Sequence, residues 1–204
     1  MSNPNAEHEL QAVYNDCYLC DRCPLATTRT NIVFGSGSAN AKIMIIGEAP
    51  GKNEDLQGKP FVGAAGRVLN DLLEIAGVGR DGGYIANVLK CRPPQNRDPA
   101  TSEIIACEGW LEQQMRIIQP AVIVTLGNYA TRWAMPVSEG ITTIHGKLYE
   151  RHVVGGLPVR WNNNTTYVFP SYHPAAALYD RSKMPIIEED FRKLGNWLKT
   201  QPGA

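Results

Sequence analysis

The stretch CYLCDRC at residues 17–23 holds three of the chain's five cysteines, each separated from the next by two residues. The other two are Cys91 and Cys107. A C-x-x-C pair turns two thiolates toward one centre, and four such soft ligands suit either zinc or an iron–sulfur cluster. Zinc ribbons are built from two short knuckles. Here fifteen residues lie between Cys91 and Cys107, a poor spacing for a ribbon and a tolerable one for a cluster. The residues alone leave open whether Cys17 pairs with Cys20 or Cys20 with Cys23. Cys107, on the apolar face of a predicted helix, also reads as a small buried hydrophobe.

Further chemistry-bearing residues gather in three segments: GEAPGKNEDLQGKPFVGAAG (47–66), KCRPPQNRDP (90–99) and HPAAAL (173–178). Asn87 stands just before the second. Taken singly, these residues are ordinary. Asn87 could cap a strand end, and His173 before Pro174 could belong to a turn. Phe61 is less usual, because it lies in a loop rich in Gly and Pro and not on a periodic apolar stripe.

The elements that must position them follow from hydrophobic periodicity. Four β-rich runs, AKIMIIG (41–47), GYIANVLK (83–90), AVIVTLG (121–127) and TYVFPSY (166–172), are nearly continuously apolar. Such runs fit strands buried on both faces of a parallel sheet. Between them, Val68, Leu69, Leu72, Leu73 and Ala76 repeat at helical spacing, with Gly77 suited to the C-terminal cap. Asp98 with Pro99 predicts the start of a second helix, whose apolar face carries Ile104, Cys107, Leu111, Met115 and Ile118. Ile187, Phe191, Leu194 and Leu198 mark a third. YERHVVGGLPVRW (149–161) reads as a hairpin turning at Gly155-Gly156. The expectation is a single domain over residues 1–204 with short flexible termini. Its fold is an α/β class, three-layer α/β/α sandwich around a central four-stranded parallel sheet. Ligands of such sheets bind outside the carboxyl ends of the strands, where all three segments lie.

The chain has 204 residues, with 20 basic and 20 acidic side chains and a formal net charge of zero. That balance gives no support to strong non-specific binding of nucleic acid, but it leaves room for a local patch. The polar N-terminus has no apolar signal region, and no run is long enough to span a bilayer. A soluble cytoplasmic protein with no membrane partner is expected, and a monomer by default. In a reducing compartment, clustered cysteines point to metal or redox chemistry and not to disulfides.

In their order and spacing, CDRCPLATTRT, VFGSG, GEAPGKNED, GKPFVGAAG, NVLKCRPPQNRDP and HPAAAL resemble the family 4, iron–sulfur uracil-DNA glycosylases. The resemblance covers nearly the whole chain, from about residue 17 to 198. It implies a DNA repair enzyme that flips uracil out of DNA and hydrolyses its N-glycosidic bond, leaving an abasic site. In that family the second cysteine of the N-terminal pair precedes an Arg by six residues, as Cys23 precedes Arg29 here. The resemblance therefore implies Cys20, Cys23, Cys91 and Cys107 as ligands of a structural [4Fe–4S] cluster at one side of the fold, with Cys17 spare.

The resemblance also implies the site. Asn87 would read the uracil edge, Phe61 would stack on its face, and Glu54 would line the edge where thymine carries a methyl group. His173 would donate a hydrogen bond to the departing uracil anion. Gly47 and Ala49 would line the pocket. In the best-known uracil-glycosylase family an Asp stands at the position of Ala49, so Glu48 is the candidate for orienting the attacking water. Leu178 would wedge into the duplex, and Gln95, Asn96 and Arg97 would contact phosphates. CRPPQNRDP carries neither the insertion nor the His of the self-cross-linking branch of the superfamily, so turnover is expected. A binding module that keeps fold and cluster without catalysis is the alternative, and an electron carrier a third reading.

Overall fold

The computed structural model describes residues 4–154, 157–158 and 165–201. Among the described residues there are eight strands: β1 (Ser36–Gly37), β2 (Ile43–Gly47), β3 (Gly83–Asn87), β4 (Val122–Leu126), β5 (Tyr149–Arg151), β6 (Val153–Val154), β7 (Leu157–Pro158) and β8 (Thr166–Ser171). The helices are α1 (Ala6–Tyr18), α2 (Lys52–Gln57), α3 (Ala64–Ile75), α4 (Thr101–Ile118), α5 (Asn128–Ala134), α6 (Ile141–Ile144), α7 (Ala175–Tyr179) and α8 (Met184–Leu198).

The fold is mixed α/β. Its main sheet has six strands in the order β1-β3-β2-β4-β8-β5, which corrects the expected four. The four expected strands form its parallel centre, β3-β2-β4-β8. Two short antiparallel strands close its edges, β1 on β3 and β5 on β8. Every residue of β2, β3 and β4 is buried, which accounts for their unbroken apolar character. Strands β6 and β7 pair as the two arms of the expected hairpin; its turn at 155–156 lies outside the described residues.

The chain leaves β2 toward β3 through α3, then crosses back over β2 to β4 through α4. Because such crossovers are right-handed, the reversal sends α3 and α4 to opposite faces. Accordingly α8 packs on α3 and α1 packs on α4. The apolar stripe of α3 is buried at Val68, Leu69, Leu72 and Leu73. Its stop is the expected one: Gly77 takes φ +73° and its N–H reaches Glu74 O. The start of α4 is not. It begins at Thr101, after Ala100, and Asp98 makes no cap. Instead Glu103 reaches back, its Oε2 accepting from Ala100 N at 2.9 Å.

The reversal of direction lies between β2 and β4. Open α/β sheets form their ligand crevice at such a switch point, beyond the carboxyl ends of the strands.

Candidate active site

A pocket opens at that end of the sheet. Among its lining residues are Glu48, Ala49 and Glu54 after β2, Phe61 before α3, Asn87 at the tip of β3, and His173 after β8. Gly47 and Asn87 are the last residues of β2 and β3 and stand side by side in register. A Cβ on Gly47 would collide with Asn87 Oδ1 and come within 2.6 Å of the Phe61 ring. Glycine here is a matter of close approach: only its missing side chain lets the amide and the ring converge. Asn87 is 2 % exposed, and its Oδ1 has no hydrogen-bond partner.

Phe61 holds a left-handed backbone, φ +52°, a conformation costly for a residue with a bulky side chain. Its surroundings hold it there. Arg80 donates from Nη1 to Phe61 O at 3.1 Å and from Nη2 to Pro60 O at 2.6 Å, and is itself fixed by Asn70 Oδ1 at 2.9 Å. On the other side, Glu54 Oε1 accepts from the N–H groups of Val62 and Gly63, at 2.9 and 2.8 Å. The loop that presents the ring is thus clamped at both ends.

His173 lies near that ring, with centroids 5.6 Å apart and planes inclined by 30°. Its Nδ1 accepts from Ala175 N at 3.2 Å. An imidazole that accepts at Nδ1 carries its hydrogen on Nε2. Burial pulls its pKa down to about 4, only partly opposed by Glu54, so the ring is neutral near pH 7. Glu48 shifts the other way: burial, and then Asp98, raise it to about 6.

A second, apolar cavity is lined by all five cysteines together with Arg22, Arg29, Lys90 and Trp110. Three donors point at sulfur: Arg29 Nη1 to Cys91 at 3.5 Å, Trp110 Nε1 to Cys20 at 3.4 Å, and Lys90 N to Cys107 at 3.3 Å. Arg29 also donates to Cys20 O at 2.7 Å. Burial pushes the Cys17 thiol up to about 12 and Cys107 up to about 11. Among the described residues, no three His, Cys, Asp or Glu side chains are grouped as ligands of one metal ion.

A profile of the Uracil DNA glycosylase superfamily matches residues 34–199. The chain belongs to the uracil-DNA glycosylase superfamily. It is similar to the Type-4 uracil-DNA glycosylase of Saccharolobus solfataricus, with 42% identity over 95% of this chain and 88% of the relative. The corresponding proteins of Sulfurisphaera tokodaii and Archaeoglobus fulgidus are 44% and 41% identical, over 91% and 95% of this chain and 83% and 96% of the relatives.

For a member of the uracil-DNA glycosylase superfamily, the expected residues are distributed as follows. Glu48, Ala49, Glu54, Phe61, Asn87, Asn96, Arg97, His173 and Leu178 share the one pocket; Gly47 lies against Asn87 beneath it. Gln95 is exposed, next to the pocket-lining Asn96, and both have positive φ. Arg97 is engaged by Glu103 through two bonds, at 2.9 and 2.6 Å. Sequence reasoning missed three residues. Arg80 clamps the Phe61 loop, Lys90 lies buried between the two sites, and Tyr179 stands 92 % exposed on the pocket rim. Only Tyr179 left a signal, an aromatic directly after HPAAAL.

Proposed function

We propose that this chain excises uracil from DNA, extruding the nucleotide and hydrolysing its N-glycosidic bond to leave free uracil and an abasic site. The observation that carries the reading is Asn87 Oδ1, buried at the pocket and unpartnered. Interiors leave few such atoms unsatisfied. Uracil N3–H supplies the missing donor, while the amide nitrogen of the same side chain donates to O4. Cytosine offers a bare N3 and an amino group, so both contacts fail. Each unpaired group costs about 1–3 kcal/mol in a dry pocket, and the extruded base is read where water is excluded.

The other residues take complementary parts. Phe61 stacks on the base, and its clamped loop fixes the depth at which uracil sits. Glu54, held rigid by two backbone amides, bars the 5-methyl edge of thymine. His173 Nε2–H donates to uracil O2, where negative charge collects as the bond breaks. A neutral imidazole does this without giving up its proton. Glu48, ionised above pH 6, orients the attacking water and balances the cationic sugar. Leu178 wedges into the stack, and Tyr179 stacks on a neighbouring base. Asn96, Gln95 and the free edge of Arg97 contact the backbone. The described residues form one unit, a three-layer sandwich, that acts as a monomer. Among the described residues, no helix is long and apolar enough to cross a membrane.

The cysteine cavity fits a [4Fe–4S] cluster held by Cys20, Cys23, Cys91 and Cys107. Four soft thiolates from one such cavity would suit the sulfur-rich coordination of an iron–sulfur cluster, and the fifteen residues between Cys91 and Cys107 are unlike the short knuckles of a zinc ribbon. Cations and N–H donors around the sulfurs suit a thiolate set that carries net negative charge. When bound, the cluster cross-links the N-terminal segment to the loop after β3 and to α4. Glycosidic hydrolysis needs no electron from it.

The base of N3-methyl-deoxyuridine departs through the same N1 atom but lacks the N3–H donor. Excision of deoxyuridine but not of the methylated analogue supports the reading. Equal excision of both removes Asn87 from base recognition.

A further inference from the structure

Lys90 has no part in the pocket chemistry above, yet it touches both sites. It is 1 % exposed. Its Nζ donates to Asn87 O at 2.9 Å and to Gln114 Oε1 at 2.7 Å. Gln114 is held in turn, its Nε2 donating to Phe34 O and Tyr84 Oη, each at 2.9 Å. All these acceptors are neutral. Among the described residues, the ion pairs join Arg97 to Glu103, His145 to Asp190 and Arg192 to Glu188 and Glu189, so no carboxylate pairs with Lys90. A buried ammonium without opposite charge is strongly unfavourable. The remaining candidates for that charge are the cysteine sulfurs of the neighbouring cavity, which become thiolates as cluster ligands. Lys90 lines their cavity, precedes Cys91, and gives its backbone N–H to Cys107.

We propose that Lys90 is the internal counter-charge of the cysteine-bound cluster, and the positioning residue through which an occupied cluster site holds Asn87 at the uracil pocket. The second half rests on the uracil-excision reading. With the negatively charged thiolate set in place, the ammonium is retained between cavity and pocket, and its bond to the Asn87 carbonyl fixes the tip of β3. Without that charge, the segment 87–90 loses its anchor, and the amide that reads the base loses its register against Gly47. The cluster then supports recognition electrostatically, without taking part in the reaction.

The test uses cluster-loaded protein and the Lys90→Met variant, which keeps an unbranched side chain one atom shorter and removes its charge. Three quantities are read: the reduction potential of the cluster, the rate of iron loss to a chelator, and single-turnover excision from a deoxyuridine oligonucleotide. The proposal expects a more negative potential, because a nearby positive charge favours the reduced state. It expects iron loss faster by roughly tenfold or more. The rate of the bound complex should fall roughly tenfold with little change in DNA affinity. An unchanged potential with wild-type iron retention overturns it; a merely structural lysine would not move the potential.

Should Lys90→Met fail to fold, hydrogen exchange on the wild-type protein with and without iron decides. Loss of protection at residues 87–90, with β8 unaffected, supports the proposal, and unchanged protection there overturns it. Potential, iron loss and exchange are all read without DNA. A wild-type protein inactive on uracil would therefore sink the activity reading and leave the counter-charge standing.

Discussion

Gly47 and Asn87 end adjacent parallel strands in register, and the missing side chain of the first makes the space in which the amide of the second meets Phe61. Base recognition in this account depends on that juxtaposition. Gly47→Ala should fold, since its φ is not one that only glycine adopts. Its methyl group would push on Asn87 Oδ1 and the Phe61 ring. Uracil excision should fall by roughly 100-fold, equivalent to about 3 kcal/mol of lost contact, with DNA affinity nearly intact. Single-turnover rates beside binding isotherms check this.

Acid titration separates Glu48 from His173. If the Glu48 carboxylate orients water, the rate falls as pH drops through about 6. His173, already neutral down to about 4, contributes nothing to that limb. Glu48→Gln should slow excision by roughly 100-fold or more and abolish the limb near pH 6. A pH–rate profile of wild type and variant reads both.

The same two groups act oppositely on stability. His173 is depressed by burial, so its contribution is present above the unfolded value of 6.5 and is lost as pH falls toward about 4. Glu48 is raised by burial, so its contribution is present below 4.5 and is lost as pH rises through about 6. Replacing His173 with Gln should therefore flatten the acid loss of stability between pH 6.5 and 4. Urea unfolding across that range measures it.

Arg80 holds Phe61 in its left-handed backbone through Pro60 O and Phe61 O. Arg80→Met should free the loop, lowering stability by about 1–3 kcal/mol and slowing excision by roughly tenfold, while leaving the iron content unchanged. Thermal unfolding and iron assay together distinguish this from a general loss of structure.

Cys17 shares the cavity with the four assigned ligands and is 0 % exposed. Cys17→Ala should keep full iron and lose about 1 kcal/mol of stability through lost packing. Cys23→Ala should lose the iron. Iron retained by the second and lost by the first would mean that Cys17 and Cys20 form the pair.

Much of this arrangement could be read from the chain, for identifiable reasons. The four central strands announce themselves because burial on both faces makes every position apolar. The edge strand β1 does not, because two residues carry no periodicity; β5 falls within the stretch read as a hairpin, but its pairing with β8 in the main sheet is a tertiary choice that three residues do not announce. Asp98-Pro99 looked like a helix start, but Glu103, tied to both Arg97 and Ala100 N, sets the start of α4 instead. The pocket residues were legible through motif order. Arg80 and Lys90 were not, because a basic residue in sequence reads as solvated until its tertiary partners are known. The backbone strain at Phe61 likewise exists only in the folded loop.

The most direct measurement is single-turnover incubation with a labelled oligonucleotide carrying one deoxyuridine, split between alkali treatment and an untreated denaturing gel. Uracil excision should give strand cleavage after alkali at the uracil position alone, with no shifted protein–DNA band. No cleavage from protein with a full iron complement would contradict it, and would leave a DNA-binding module with Ala49 at the position of the missing carboxylate.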